Sequence, residues 1–365
     1  MKNTPLTVLK QLLLYVFVVL AGCKERPGSK EDLSDNTKSA KETFTNPILT
    51  SGADPYSTYV NGYYYYTNTL GNRLVIWKTK NLADLSSAEK KTIWIPPSDT
   101  LFSKEIWAPE IHHINNKWYV YFAADDGNNN NHRMYAIENI SDNPLNDKWE
   151  FKGKIAALSD KWAIDGNVFE YKEQLYMIWS GWDGDENGTQ NIYIAQMKNP
   201  YTIEGERVKI ATPTYEWEKH GDLGENSDPP HVNVNEGPQF LSHNDSVFIV
   251  FSASGCWTDF YSLGLLQFNG SGNLLDALAW VKNPKPFFKQ SPENSVYAPG
   301  HNSFFKSPDG KEDWILYHAN SNPGDGCGGK RSPRMQKINW NTDGTPDLGA
   351  PVSEKRVLEI PSGTK

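Results

Sequence analysis

The sequence predicts an all-β protein, a five-bladed β-propeller, and three observations carry that prediction. A hairpin phrase, in which an acid or a histidine opens a short strand and an aromatic-rich strand runs back, occurs five times. The copies follow one another at the spacing of propeller blades, each a four-stranded sheet of ~40–50 residues before insertions. Helical periodicity is weak throughout, with no amphipathic run longer than about two turns.

The copies can be taken in order. Asp54-Pro55-Tyr56 leads through Asn61-Gly62 into Tyr63-Tyr64-Tyr65-Tyr66. Ala108-Pro109-Glu110 leads through Asn115-Asn116 into Trp118-Tyr119-Val120-Tyr121-Phe122. Ile164-Asp165-Gly166 turns at Lys172-Glu173 into Leu175-Tyr176-Met177-Ile178-Trp179. Asn235-Glu236-Gly237-Pro238 turns at Asn244-Asp245 into Val247-Phe248-Ile249-Val250-Phe251. Pro299-Gly300-His301 turns at Pro308-Asp309-Gly310 into Trp314-Ile315-Leu316-Tyr317. With Tyr64, Trp118, Tyr176, Phe248 and Trp314 as markers, the intervals are 54, 58, 72 and 66 residues.

In a propeller the first strand of each blade lines the central channel. On that expectation Asp54, Glu110, Asp165, Glu236 and His301 converge on one axis. Gathering four acids costs free energy through desolvation and mutual repulsion. A structural protein has little reason to do so, whereas an active site has one.

Composition narrows the class. The chain has 365 residues, 38% of them hydrophobic, enough for one large all-β domain or two smaller ones. Thirteen Trp and eighteen Tyr suit either sheet-on-sheet cores or a surface that stacks on sugar rings. A net charge of −8 and the lack of any Lys/Arg cluster exclude a nucleic-acid partner.

Residues 1–22 read as a leader. Lys2 and Lys10 precede an apolar run from Leu12 to Leu20 that is short for a membrane span. The run ends in Leu20-Ala21-Gly22-Cys23, which resembles a bacterial lipobox with Cys23 as the lipidated residue. Residues 23–43 are charged and nearly free of apolar side chains, hence a tether, and 44–365 form the propeller domain. The protein is then anchored to a membrane through lipid, facing the periplasm or the cell exterior, and is expected to be a monomer. Cys256 and Cys327 lie in loops after the fourth and fifth hairpins, where they are either a disulfide or two free thiols.

Some look-alikes are set aside. Asp183-Gly184-Asp185 begins like a calcium loop, but Ile194 stands where a bidentate Glu belongs. Asp125-Asp126-Gly127, with the Asn run and His132, reads as a loop on the rim of the site. No nucleophile elbow, Walker loop or His-Glu-x-x-His is present.

Paired carboxylates across a channel suit glycoside hydrolysis, in which one protonated acid releases the leaving group and one ionised acid serves the other face. A third acid nearby keeps the donor protonated by like-charge repulsion. Five ordered motifs then resemble glycoside hydrolase family 43, a family of five-bladed propellers. They are Asn46-Pro47-Ile48-Leu49 with Ala53-Asp54-Pro55, Trp107-Ala108-Pro109-Glu110, Ile164-Asp165, Glu236-Gly237-Pro238 and Gly300-His301-Asn302-Ser303.

The resemblance implies Asp54 as general base, Glu236 as general acid and Asp165 as the carboxylate that tunes and orients the acid. It implies a sugar subsite with Trp107 and either Arg331 or Arg334. Glu110 is a substrate contact or an architectural pair, and His301 either stands by an axial Ca2+ or Na+ ion or is hydrogen-bonded without metal. No cofactor is needed for the chemistry. Together with Ser252-Ala253-Ser254-Gly255-Cys256-Trp257, these motifs resemble exo-acting α-L-arabinofuranosidases that trim plant arabinan or arabinoxylan. A β-xylosidase on the same scaffold and a non-catalytic glycan-binding propeller are the alternatives.

Overall fold

A computed structural model describes residues 42–270 and 272–365, and the statements below concern those residues. The leader over 1–22, the lipid site at Cys23 and most of the tether lie outside them. Glu42 and Thr43, expected in the tether, belong to the fold: Thr43 pairs with Glu359 and the Glu42 carbonyl accepts from the Ile360 amide.

Five antiparallel blades follow in chain order. Blade 1 holds Ala53–Val60, Tyr63–Thr69, Leu74–Thr79 and Glu89–Trp94, and blade 2 holds Lys104–Ile114, Lys117–Asp125, Arg133–Asn139 and Glu150–Ile155. Blade 3 holds Ala163–Tyr171, Gln174–Gly181, Thr189–Asn199 and Val208–Ala211, and blade 4 holds Asn233–His243, Ser246–Ala253, Ser262–Phe268 and Trp280–Lys282. Blade 5 has Tyr297–Lys306, Asp313–Asn320 and Ser332–Lys337. The beginning of the fold lies along its outer edge. Ile48 and Gly52 donate to the carbonyls of Pro333 and Arg331, and the Asn46 amide bonds both backbone groups of Met335. The ends of the domain thus close the ring.

The aromatic-rich strands are apolar on both faces because each lies between two neighbours, and a strand alternates faces residue by residue. Tyr65 packs toward blade 2, while Tyr64 and Tyr66 pack toward blade 5. Trp118, Val120 and Phe122 face blade 1, and Tyr119 and Tyr121 face blade 3. Phe248 and Val250 meet Ile315 and Tyr317 of blade 5, whereas Val247, Ile249 and Phe251 meet blade 3. The core is therefore divided among the blade interfaces, with a cluster between each pair of neighbouring blades and a second, smaller one of Ala123, Trp162, Ile164 and Trp182 between blades 2 and 3. None fills the axis.

Each innermost strand carries one extra residue at the same place. Ala53 and Tyr56 face Thr69 and Thr67, so three steps on one strand match two on the other. The same bulge lies between Trp107 and Glu110, Ile164 and Asn167, Glu236 and Gln239, and Gly300 and Ser303. The residue after the first of each pair has positive φ: Asp54 at 54°, Ala108 at 43°, Asp165 at 59°, Gly237 at 53° and His301 at 39°.

This register corrects the alignment made from sequence. Asp54, Asp165 and His301 are equivalent, but Glu236 stands one residue before the bulge position and Glu110 two after it. The motifs were aligned by acid, and an inserted residue shifts which side chain occupies which level.

Blade 5 needs a glycine just before its bulge. A Cβ on Gly300 would lie 2.1 Å from the buried Tyr261 ring. Gly300→Ala should therefore cost about 1–3 kcal/mol of stability, read by urea unfolding. A change within about 0.5 kcal/mol would show that Tyr261 moves aside freely.

Candidate active site

The bulges open at one mouth of the channel, into a cavity of about 470 Å³ lined by Asp54, Asp165, Glu236, His301, Arg331 and Trp107 among others. Asp54 is the most heavily partnered of these acids. Thr69 Oγ1 donates to Oδ2 at 2.6 Å and Arg331 donates to Oδ1 at 3.2 Å. The Thr69 oxygen also accepts from the Ala108 amide at 2.7 Å, so its own hydrogen is directed to Asp54. His301 Nδ1 stands 3.4 Å from Asp54 Oδ1 and 3.9 Å from Asp165 Oδ2, between the two carboxylates. Asp165 Oδ2 accepts from the Gly237 amide at 2.9 Å, which links it to the residue after Glu236. Tyr261, itself buried, donates to Glu236 Oε1 at 2.8 Å.

Environment separates the acids. Burial acts to raise the Asp54 pKa, but Arg331, His301, His318 and the Thr69 hydroxyl outweigh it and hold the carboxyl well below the usual carboxylate range. Burial and the charge of Asp54 push Glu236 up to about 7, against Tyr261 and Arg331. Asp165 is raised well above its ordinary value, first by burial and then by repulsion from Glu236 and Asp54. Asp165 and Glu236 repel reciprocally, so the pair retains a proton to higher pH than either acid would alone. The His301 imidazole is lowered by burial, and His318 lies lower still, through burial and the Arg331 charge.

The remaining expectations divide. Arg331 reaches the site, whereas Arg334 is fully buried and bonded to Glu354 and Ser321. Glu110 is absent from the cavity lining and takes the architectural alternative: it is 3% exposed and bonded to Asn167 at 2.9 Å, His112 at 2.8 Å and Gln239. Asn167 and Gln239 are its equivalents in the next blades, two residues past each bulge. Cys256 and Cys327 are joined in a disulfide that lines the cavity wall.

Among the described residues no group of three or more His, Cys, Asp or Glu side chains is arranged to hold a metal ion. No step below passes through a metal ion.

Sequence reading missed Thr69, His318, Tyr261 and Glu105. Thr69, Ser252 and His318 sit opposite the residue before the bulge in their own blades, and each receives the bulge amide of the next blade. A polar residue ending an aromatic strand was the available signal.

Fold and site together define a propeller with oppositely poised carboxylates at one mouth. The chain belongs to glycosyl hydrolases family 43, whose model matches residues 44–346. It is 38% identical over 323 residues to an extracellular exo-α-(1→5)-L-arabinofuranosidase of Streptomyces avermitilis, covering 86% of this chain and 64% of that protein. It is 33% identical over 329 residues to α-L-arabinofuranosidase 43 of Humicola insolens, covering 87% of this chain and 66% of that one. The chain thus spans a little under two thirds of either relative. The crystal structure of an α-L-arabinofuranosidase from Lactobacillus brevis matches with a TM-score of 0.78 at 36% identity, covering 86% of this chain and 98% of that one.

The raised Glu236 pKa has a consequence for stability. The folded form holds this proton up to about pH 7, against an ordinary value of 4.5, so stability falls as pH rises through that window. Glu236→Gln should lose less melting temperature between those pH values than wild type. Parallel curves would place the Glu236 pKa near its ordinary value.

Proposed function

We propose that this protein is an exo-acting α-L-arabinofuranosidase that inverts the anomeric centre, using Asp54 as base, Glu236 as acid and Asp165 to tune and orient the acid. The observation that carries the reading is the opposite poise of Asp54 and Glu236 within one cavity. An ionised Asp54 accepts a proton from water, and a protonated Glu236 gives one to the departing oxygen. The Gly237 amide can only donate, which favours charge on Asp165. The Tyr261 hydroxyl can donate to a Glu236 carboxylate or accept from its protonated form, so it tolerates a proton on Glu236. Arg331 holds Asp54 ionised. The names of the relatives support arabinofuranose as the sugar released, and plant arabinan or arabinoxylan is the source the proposal assigns. Lipid on Cys23, with 23–43 as tether, would hold the enzyme at a bacterial membrane facing outward; that the Streptomyces avermitilis relative is extracellular supports the outward side.

The roles separate by substrate. Asp54→Asn should abolish turnover of every glycoside, because water then lacks a base. Glu236→Gln should be severe on natural glycans and far milder on aryl glycosides with acidic leaving groups, which depart unprotonated. Equal loss on both substrates would remove Glu236 from the role of proton donor. Asp165→Asn should shift the basic limb of the pH–rate profile downward, since deleting a neighbouring negative charge lowers the Glu236 pKa.

Stereochemistry tests the base independently. Proton NMR of the first-formed sugar should show the inverted anomer, because water attacks opposite the leaving oxygen. Retention would make Asp54 something other than a water activator.

A further inference from the structure

The loop over residues 125–132 contains a buried acid and a buried imidazole that take no part in the proposed proton transfers. His132 is fully buried and Asp125 is 1% exposed. His132 Nδ1 lies 3.0 Å from Asp125 Oδ2, and Nε2 lies 3.2 Å from the backbone oxygen of Glu105. Asp125 is itself fixed, since its Oδ1 accepts from the Gly127 amide at 2.8 Å. Neither His132 nor Asp125 lines the cavity.

What His132 touches is Trp107, which does. The imidazole stacks on the indole with centroids 4.1 Å apart and planes inclined by 24°. From the side, Glu105 Oε2 accepts from the indole Nε1 at 3.0 Å. Glu105 has φ of 46°, a conformation that costs a non-glycine residue stability, and it lies exposed on the cavity wall. Trp107 is therefore supported behind by a ring whose two nitrogens both face acceptors, and pinned at its edge by a carboxylate. Rotation of the indole breaks both supports.

An aromatic face binds a sugar through close contact with its C–H surface, and the contact weakens when the ring tilts. We propose that Glu105, His132 and Asp125 are positioning residues that fix Trp107 as the platform for the sugar. Affinity for that sugar then depends on this unit, separately from the acids that move protons. The inference rests on the arabinofuranosidase reading for its substrate.

The test measures KM and kcat on 4-nitrophenyl α-L-arabinofuranoside, with melting temperature as the control for folding. Glu105→Ala and His132→Ala should each raise KM about tenfold, the factor a lost aromatic contact is worth, with kcat held within about threefold. Glu105→Gln keeps an acceptor for the indole N–H and should return KM to within about threefold of wild type. If His132→Ala does not fold, the exposed Glu105 pair of variants decides alone. Unchanged KM in a folded Glu105→Ala overturns the inference, as does a fall in kcat at constant KM. Glu105→Gln as defective as Glu105→Ala overturns it too, since Glu105 would then contact the sugar directly. If wild type hydrolyses no glycoside, the reading of function fails instead. Calorimetric titration with L-arabinose then reads the same variants, and equal binding by wild type and Glu105→Ala overturns the platform.

Discussion

At four of the five bulges the backbone amide is donated to a side chain of the preceding blade, and the site depends on that bond. Asp54 donates to His318, Ala108 to Thr69, Gly237 to Asp165 and His301 to Ser252. A residue with positive φ is strained unless its surroundings hold it, and a bulge leaves its amide without a ladder partner. One hydrogen bond answers both problems. It also joins blade to blade close to the axis. The bond from Asp54 to His318 links the first blade to the last, so the residue proposed as base is also where the ring closes.

The electrostatics follow from the same placement. All three acids are buried enough for desolvation to raise their pKa values, and only their partners differ. Asp54 has a guanidinium, a hydroxyl and two imidazoles around it, and it falls. Glu236 has one tyrosine and a more distant Arg331, and it rises. Asp165 has one amide and faces two other acids, and it rises too. Moving Arg331 away would remove the largest charge that holds Asp54 low and so narrow the division of labour that acid–base chemistry needs.

Much of this was legible in the sequence. The five hairpins and the acids could be read because strand alternation and turn residues are local signals. The level of each acid could not. A bulge adds one residue, and nothing in Ala108-Pro109-Glu110 distinguishes an acid at the mouth from one two residues deeper. Sequence likewise left Arg331 and Arg334 as rivals. The first precedes its strand and reaches Asp54; the second lies within it and turns to Glu354. The acceptors Thr69, Ser252 and His318 were hidden because their partners are set by cross-blade register.

The division between strand and loop has a functional meaning. Asp54, Asp165, Glu236 and His301 all stand on innermost strands, pinned by bulges and packed blades. Much of the rest of the wall comes from connections between strands: Asn129, Leu223, Trp257 and the Cys256–Cys327 bridge. Proton transfer is sensitive to small displacements, so its residues sit where the backbone is over-determined. Sugar preference is a matter of shape, and loops can vary without disturbing the ring of blades. The disulfide restrains that wall, joining a loop of blade 4 to a loop of blade 5. In this way loop changes can alter the preference for a sugar while leaving the acids of the innermost strands in place.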